Sequence, residues 1–443
     1  MDRDTAEPRV STIPGERAAR WVEHHHAVAS TTTYVYPFVL DATADAIGPF
    51  CTDIDGNVLM DFTCHVASAP LGYNNPRILD RLAEVGLVDP LKIAGQDFYV
   101  SGGWPPEDPA APGPTQLMHR LADLGSAYGL DRVFLSNSGA EAVENAIKLA
   151  YASGGHRAIT FEGAFHGRTL GALSLNRSKR VHRRGYPELS GVISVPYCGC
   201  EGTCRCGWRT DGPGGNALAD RLHPYGGSID PTEVGFLILE PLQGEGGYRI
   251  PNEGFLADIQ ELVEAYDITL ISDEIQAGLG RTGRFWGIDH TPLEPDLICS
   301  AKGLRVGATI GREGLFPTEQ GRISSTWGAG NLVASMRGVA TVDAIVEDGL
   351  MDNAIDRGRQ FRETMSEATT PGVTDVRGRG LMLALDCRSK DRRETIIHEA
   401  FDRGLLVLGC GYRTIRVLPP LDVTEREIEL GASVLTEAIQ AAA

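Results

Sequence analysis

Apolar and polar positions alternate between helix-like and strand-like segments from about residue 117 to residue 303. The 3.6-residue spacing of apolar side chains predicts helices over 117–129, 140–154 and 255–266. Short apolar runs predict strands over 132–138, 157–161, 191–197, 234–241 and 268–274. Strands that alternate with helices are typical of a mostly parallel sheet covered by helices on both faces. The pattern therefore predicts an α/β fold.

The segments before residue 117 follow a different pattern. An N-terminal arm carries a helical segment over 16–30, and residues 49–62 predict a hairpin around the turn Asp55-Gly56. Residues 101–115 are rich in Pro and Gly, which predicts a loop.

The C-terminal part predicts a second, smaller domain. After residue 331 the pattern indicates helices, a strand pair at 381–387 and 414–420, and a final helix, which is an α+β arrangement. We predict three regions: an arm and hairpin over 1–70 that belong to the small domain, a large domain over 71–330, and the C-terminal small domain over 331–443.

Composition narrows the choice of partners. The 443 residues carry a formal net charge of −18, which disfavours nucleic acid and anionic membranes. No apolar run is long enough to span a membrane, and the N-terminus lacks the apolar segment of a signal peptide, so we expect a cytoplasmic location. Only 5 of the 41 basic residues are lysine. Such an acidic, lysine-poor surface resembles that of proteins from salt-loving organisms, and a GC-rich genome would also produce it.

Polar residues follow the predicted strands where each strand ends. Ser138, Gly139 and Ala140 open a helix, whose free N–H groups form an anion site. Asp273 ends another strand, and Lys302 follows an apolar run that would desolvate it and lower its pKa. Ligands bind at this edge of an open α/β sheet.

Two further strand ends contribute to the same edge. Phe165 and His166 lie in a turn flanked by glycines, and Arg168 follows with a guanidinium suited to a carboxylate. Glu240 ends a strand, and Glu245 lies in the glycine-rich loop after it.

A phosphate site, an aromatic ring, a carboxylate and a lysine together match the needs of pyridoxal phosphate. Asp273 would keep the ring nitrogen protonated, while Phe165 and Ile275 would pack on the two ring faces. Gln276 could bind the phenolic oxygen, and Glu274 is assigned to the loop without a direct role. The predicted cofactor-binding residues are Ser138, Gly139, Ala140, Phe165, His166, Glu240, Asp273, Ile275, Gln276, Lys302 and Thr326.

The chain resembles the class III (subgroup II) pyridoxal-phosphate aminotransferases over nearly its whole length. The matching stretches, in the family's order, are SNSGAEAVENAIK, GAFHGRT, EPLQGEGGY, DEIQAGLGRTGRF, AKG, SSTWG, VRGRGLM and IRVLPPL. The resemblance implies fold type I, the aspartate-aminotransferase-like fold. It also implies that Lys302 carries the cofactor covalently, with Asp273 as its catalytic partner. The family's counterpart of Thr326 reaches the phosphate from a second subunit, so a homodimer with shared active sites is implied, with a tetramer as the alternative.

Details of the sequence are similar to several groups within the family. HVASAPLG, which contains Val66, and AKGLRVGATIG resemble lysine ε-aminotransferases, whereas LGCGYRTIRVLPPL resembles archaeal ornithine aminotransferases and related racemases. The resemblance implies that Arg416 binds the α-carboxylate of 2-oxoglutarate and that Glu245 masks this arginine while an ω-amine is bound. Arg168 takes the second carboxylate, and Val66 completes the substrate-binding set.

Two departures from the family pattern lie beside the cofactor. The glycine-rich segment that many relatives have after the lysine is missing after Lys302. The stretch TWGAGN has an additional Ala329. Both make the pocket shape and the phosphate contact of Thr326 open questions at the level of sequence.

Four cysteines form the motif CxC-x3-CxC, and we call Cys198, Cys200, Cys204 and Cys206 the cysteine cluster. Four thiolates could hold zinc tetrahedrally or bind an iron–sulfur cluster. The spacing differs from paired C-x-x-C knuckles, so reduced thiols or a disulfide pair are the alternatives. Cys299 and Cys410 are interpreted as packed thiols.

Three functions compete at this level. The first is an ω-aminotransferase that moves the terminal amino group of lysine, ornithine or 4-aminobutyrate to 2-oxoglutarate, giving a semialdehyde and glutamate. The second is an amino-acid racemase or epimerase on the same scaffold. The third, a non-catalytic metal or redox protein centred on the cysteine cluster, leaves the cofactor residues unexplained.

Overall fold

The computed structural model describes residues 1–30, 36–86, 95–97 and 99–443. Residues 31–35 of the predicted arm lie outside the described residues. No helix in the described ranges has both the length and the apolar character needed to cross a membrane.

The strands of the described chain are β1 (Phe50–Thr52), β2 (Val58–Asp61), β3 (Arg132–Ser136), β4 (Arg157–Phe161), β5 (Val192–Val195), β6 (Val234–Leu239), β7 (Thr269–Asp273), β8 (Leu297–Ser300), β9 (Gly307–Gly311), β10 (Val373–Arg379), β11 (Met382–Cys387), β12 (Leu405–Leu406), β13 (Leu408–Cys410) and β14 (Thr414–Val417).

The helices are α1 (Glu16–His26), α2 (Cys64–Ala67), α3 (Pro76–Ala83), α4 (Pro114–Gly125), α5 (Gly139–Ser153), α6 (Leu170–Leu175), α7 (Arg180–Arg183), α8 (Ala217–Leu222), α9 (Glu253–Tyr266), α10 (Leu332–Glu347), α11 (Leu350–Glu367), α12 (Lys390–Asp402) and α13 (Glu425–Ala441). All four residues of α2 have positive φ angles, so this element is a left-handed turn.

The central sheet has seven strands in the order β3-β9-β8-β7-β6-β4-β5. Only β9 runs antiparallel to its neighbours β3 and β8. The predicted α/β fold with a mostly parallel sheet is therefore confirmed, and the five sequence-predicted strands correspond to β3, β4, β5, β6 and β7.

Helices cover both faces of this sheet, because its strands are apolar on both sides. Helix α5 packs Val143, Ala146 and Leu149 into a cluster with Phe236 and Ile271. On the other face, Ile259 and Leu262 of α9 belong to the main core with Leu237 and Leu270.

The smaller sheets join the two ends of the chain. Strands β10, β11, β14 and β13 form an antiparallel sheet in that order. The predicted hairpin β1–β2 pairs in parallel with β12, since Met60 lies opposite Leu405. This pairing supports the grouping of 1–70 with the C-terminal domain, and the domain boundaries themselves stay a prediction.

Candidate functional site

The site lies where the strands of the central sheet end. Strands β3, β4, β6, β7 and β8 all run in one direction, so their carboxyl ends meet at one edge of the sheet. In the pairing of β7 with β8, Asp273 lies opposite Cys299. Lys302 follows three residues later, so the sheet brings the predicted aspartate and lysine to adjacent strand ends.

Asp273 is 4% exposed and is held by two contacts. Its Oδ2 lies 2.7 Å from Nδ1 of His166, and its Oδ1 accepts a hydrogen bond from the N–H of Ile275 at 3.1 Å. His166 is itself buried, and its backbone N–H donates to Asn176 at 2.6 Å. These contacts fix the direction of the carboxylate, which suits a group that must face a ring nitrogen.

Lys302 is partly buried at the start of a short 3-10 helix and has a φ of +52°. A non-glycine residue in this left-handed region is strained, which is typical of functional sites. Burial, followed by the nearby charge of Arg416, lowers the pKa of Lys302 to about 8, while Asp273 acts in the opposite direction. The amine is therefore far more nucleophilic near neutral pH than an ordinary lysine.

The predicted anion site lies at the start of α5. Ser138 caps the helix, with its Oγ accepting from the N–H of Glu141 at 3.2 Å. A Cβ at Gly139 would come within 2.8 Å of the Ile275 side chain, so a larger residue there would require Ile275 to move. A Cβ at Gly167 would come within 2.9 Å of Ala140. The glycines thus allow the helix start to approach the predicted ring site closely.

The predicted ring contacts come from the neighbouring loops. The ring of Phe165 contacts His182 in an edge-on arrangement, with centroids 5.4 Å apart. Gln276 accepts a hydrogen bond from the hydroxyl of Tyr248 at 2.8 Å. Ile275, Phe165 and Gln276 are all partly buried.

Two buried glutamates hold loops of the site in place by accepting backbone hydrogen bonds. Glu240 accepts from the N–H of Phe165 at 3.0 Å and from that of Gly244 at 2.8 Å, so it joins two loops of the site. Glu274 accepts from the N–H groups of Gly287 at 2.7 Å and Ile288 at 2.8 Å. Burial raises the pKa of each glutamate to about 7. Glu274 thus holds the segment that begins at Gly287, and its loop role stays a prediction.

Glu245 lies between two cations. Its Oε2 is 3.3 Å from Nη1 of Arg416, and its Oε1 pairs with Nζ of Lys179. Arg416 is 8% exposed, and its Nε has no hydrogen-bond partner within the described ranges. The arginine therefore has capacity to bind a further anionic group once the glutamate moves.

The other predicted substrate residues are Arg168 and Val66. Arg168 is exposed and lies 5.7 Å from the ring centre of Phe165, in a cation–π arrangement. No carboxylate of the described chain forms a salt bridge with it. Val66 lies in the left-handed turn α2, where its φ is +58°.

Thr326 lies close to the anion site of its own chain. Its Oγ1 accepts from Nδ2 of Asn137 at 2.8 Å and donates to Glu141 at 3.1 Å. The threonine is exposed, and its predicted reach into a second subunit is not tested by a single chain. The added Ala329 is fully buried, and its carbonyl accepts from the N–H of Gln96 at 2.9 Å.

The shortened segment after the lysine is also compact. Arg305 takes a left-handed φ of +64°, and β9 begins at Gly307. A Cβ at Gly307 would lie 2.2 Å from the carbonyl of Ser138, so this turn packs directly against the anion site.

Sequence reasoning missed three residues of the site: Lys179, His182 and Tyr248. Lys179 was detectable in principle, because it is one of only five lysines in the chain. Tyr248 ends the stretch EPLQGEGGY, but nothing in that stretch predicts its contact with Gln276. His182 occurs in a stretch without distinctive spacing, so only the fold brings it to the site.

The residues present fit pyridoxal phosphate: a helix start for the phosphate, an oriented carboxylate for the ring nitrogen, and a lysine of lowered pKa. Such a combination on an α/β sheet defines the class of pyridoxal-phosphate-binding enzymes.

Comparisons with known proteins agree with this assignment to the pyridoxal-phosphate-binding enzymes. The family model described as "Aminotransferase class-III" matches residues 35–439. Acetylornithine aminotransferase of Methanopyrus kandleri is 35% identical over 395 residues, covering 88% of this chain and 92% of the relative. Alanine/serine racemase of Pyrococcus horikoshii is 31% identical over 451 residues, covering 96% of this chain and 91% of the relative.

Among solved structures, the lysine aminotransferase from M. tuberculosis in the internal aldimine form superposes with a TM-score of 0.80 at 27% identity, covering 96% of this chain and 99% of that one. The chain belongs to the class-III aminotransferases, and it is an enzyme that uses pyridoxal phosphate for transamination.

Proposed function

We propose that the enzyme moves the terminal amino group of an ω-amino acid to 2-oxoglutarate, giving a semialdehyde and glutamate. Lysine, ornithine and 4-aminobutyrate are the predicted donors, and the relative from M. kandleri adds acetylornithine to them. The observation that carries the proposal is the contact of Glu245 with Arg416 at 3.3 Å, close to Lys302.

The contact provides a way to bind two unlike substrates in one pocket. With Glu245 on Arg416 the cation is neutralised, so the pocket accepts the apolar chain and terminal amine of a donor. When Glu245 swings away, Arg416 can bind the α-carboxylate of 2-oxoglutarate as a bidentate pair. Lys179 gives the displaced carboxylate a partner, so that opening does not leave an unpaired charge.

The second carboxylate of 2-oxoglutarate needs a second cation. Arg168 lies over the Phe165 ring and has no carboxylate partner in the described chain. We assign the distal carboxylate of 2-oxoglutarate to Arg168. A donor with one carboxylate or none can then bind without this arginine.

When bound, pyridoxal phosphate supplies an electron sink for the carbon that loses a proton. Lys302 would hold the cofactor and would carry the proton between the two carbon positions, a task suited to its pKa of about 8. Asp273, oriented by His166, keeps the ring nitrogen protonated. Phe165 and Ile275 would pack on the two ring faces and keep water from them.

The assignment is tested by incubating the holoenzyme with L-lysine, L-ornithine, N-acetyl-L-ornithine or 4-aminobutyrate, each with and without 2-oxoglutarate. We expect glutamate to form with at least one donor and only when the keto acid is present. Absence of glutamate with all four donors would contradict the proposal.

A racemase is the second candidate, favoured by the similarity to the alanine/serine racemase. A racemase needs no keto acid and no second-carboxylate site. Loss of optical rotation of L-alanine, L-serine or L-ornithine without a keto acid would favour it. The matched control is the Lys302→Ala protein, which should do neither reaction.

A further inference from the structure

The cysteine cluster lies outside the cofactor site, in the loop that follows β5. All nine cysteines are in the described chain, and each has a free thiol. The four sulfur atoms of the cluster lie within 4.8 Å of one another. The Sγ of Cys204 is 3.8 Å from that of Cys198 and 3.5 Å from that of Cys206. Both distances are far too long for a disulfide.

These distances match one metal ion. Four sulfurs at about 2.3 Å from a zinc ion, in tetrahedral directions, stand about 3.8 Å apart. The widest sulfur pair therefore needs a contraction of only about 1 Å to reach that geometry. A cluster of four iron atoms holds its cysteines further apart than a single ion does, because the cluster itself fills the centre.

The surroundings of the sulfur atoms also suit metal thiolates. The backbone N–H groups of Arg205 and Arg209 donate to Cys200 and Cys204, each at 3.4 Å. The side-chain amide of Asn252 donates to the sulfur of Cys198 at 3.2 Å. N–H groups directed at sulfur favour the anionic, metal-binding form.

We propose that the cysteine cluster binds one structural zinc ion. All four coordination positions are filled by protein sulfur, so no position remains for substrate or water. Zinc is favoured over copper or iron because a tetrahedral set of four thiolates is its usual structural site and because it has no redox chemistry. The bound ion fixes the shape of the loop, and Asn252 connects that loop to the edge of the active site.

The connection runs through Asn252. Its amide donates to the carbonyl of Cys200 at 3.0 Å, and its backbone N–H donates to the carbonyl of Cys198 at 3.0 Å. Glu245 lies in the hairpin 243–249, which is closed by Gln243 and Arg249 and ends three residues before Asn252. A Cβ at Gly199 would lie 2.3 Å from the carbonyl of Ile250, so the loop packs directly on the segment after the hairpin.

The test is the metal content of the untagged holoenzyme after gel filtration, measured by mass spectrometry of the elements. We expect about one zinc ion per chain, and loss of that zinc in the Cys204→Ser/Cys206→Ser variant. A His24→Gln/His25→Gln/His26→Gln variant is the control, because the exposed histidines of α1 are another source of bound metal, and it should keep its zinc. A wild-type protein with no zinc, with several irons per chain, or with a disulfide in the cluster would overturn the proposal.

A second measurement keeps the proposal testable if the double variant fails to fold. Wild-type protein produced with cobalt in place of zinc should show the visible bands of tetrahedral cobalt thiolate, and a spectrum without them would overturn the site. Hydrogen exchange of amides 243–250 should become faster when zinc is removed. Unchanged exchange there would overturn the connection to Glu245.

Discussion

Nδ1 of His166 lies 2.7 Å from Oδ2 of Asp273, and both side chains are buried. The histidine comes from the loop after β4 and the aspartate from the end of β7, so the contact joins two strand ends that are distant in sequence. The other carboxylate oxygen, Oδ1, accepts a hydrogen bond from the N–H of Ile275, so the loop after β7 also orients the carboxylate. The orientation of the Asp273 carboxylate thus depends on His166.

Asp273→Asn should lower kcat by about 100-fold or more, since it removes the charge that holds the ring nitrogen protonated while keeping the shape of the side chain. His166→Ala should cost less, about 10-fold, because the carboxylate stays but loses its orientation. Steady-state kinetics at saturating cofactor, with cofactor content measured for each variant, check both. An equal loss for the two variants would contradict a positioning role for His166.

The reaction of the apoenzyme with pyridoxal phosphate should accelerate as pH rises through about 8, because only the neutral amine of Lys302 attacks the aldehyde. A lysine at its ordinary pKa of 10.4 would be less than about 1% neutral at that pH. Rapid-mixing absorbance across pH 6 to 10 measures the midpoint. A midpoint near 10 would show that burial does not lower this pKa, and Lys302→Ala should give no covalent adduct at any pH.

Arg416→Ala should raise KM for the keto acid 2-oxoglutarate about 100-fold, because truncating one partner of a buried charge pair costs about 2 kcal/mol or more. KM for the amine donor should change much less, since Glu245 masks the arginine in that half-reaction. Separate kinetics of the two half-reactions measure the contrast. Equal losses on both substrates would contradict the proposed movement of Glu245 on and off Arg416.

Lys179→Ala should weaken the binding of the keto acid by only a few-fold, since the displaced Glu245 then lacks its second partner. KM for the donor should stay the same, because Glu245 and Arg416 remain in contact. Lys148→Ala, at a lysine on α5 that forms no ion pair with Glu245, is the matched control. A tighter keto-acid complex in Lys179→Ala would show that Lys179 holds Glu245 against Arg416.

Glu274→Ala should destabilise the protein by about 2 to 4 kcal/mol, because the N–H groups of Gly287 and Ile288 would be left buried and unpaired. Glu274→Gln keeps one acceptor oxygen and should cost about half as much. Urea unfolding gives the free energies, and kcat of the folded protein should be unchanged. A loss of kcat without a loss of stability would assign Glu274 to the chemistry.

The amino-acid sequence alone determined the alternation of helices and strands in the large domain and five strands of its central sheet. It also determined the polar strand ends and identified Lys302 and Asp273 as candidates. Apolar runs and helical spacing are local properties, and burial of those runs forces the strands into a covered sheet. The class of cofactor could also be predicted, because the residue types that pyridoxal phosphate requires occur at the predicted strand ends. The motifs that resemble the family strengthened this inference.

Only the tertiary structure decided which strands are neighbours and which side chains meet. The antiparallel β9, the contact of His166 with Asp273 and the pairing of Glu245 with both Lys179 and Arg416 join residues far apart in sequence. Periodicity specifies which face of an element is buried and carries no information on the element it packs against. The same limit applied to the cysteine cluster: its spacing left several chemistries open, and the sulfur distances exclude a disulfide within the pairs Cys198–Cys204 and Cys204–Cys206.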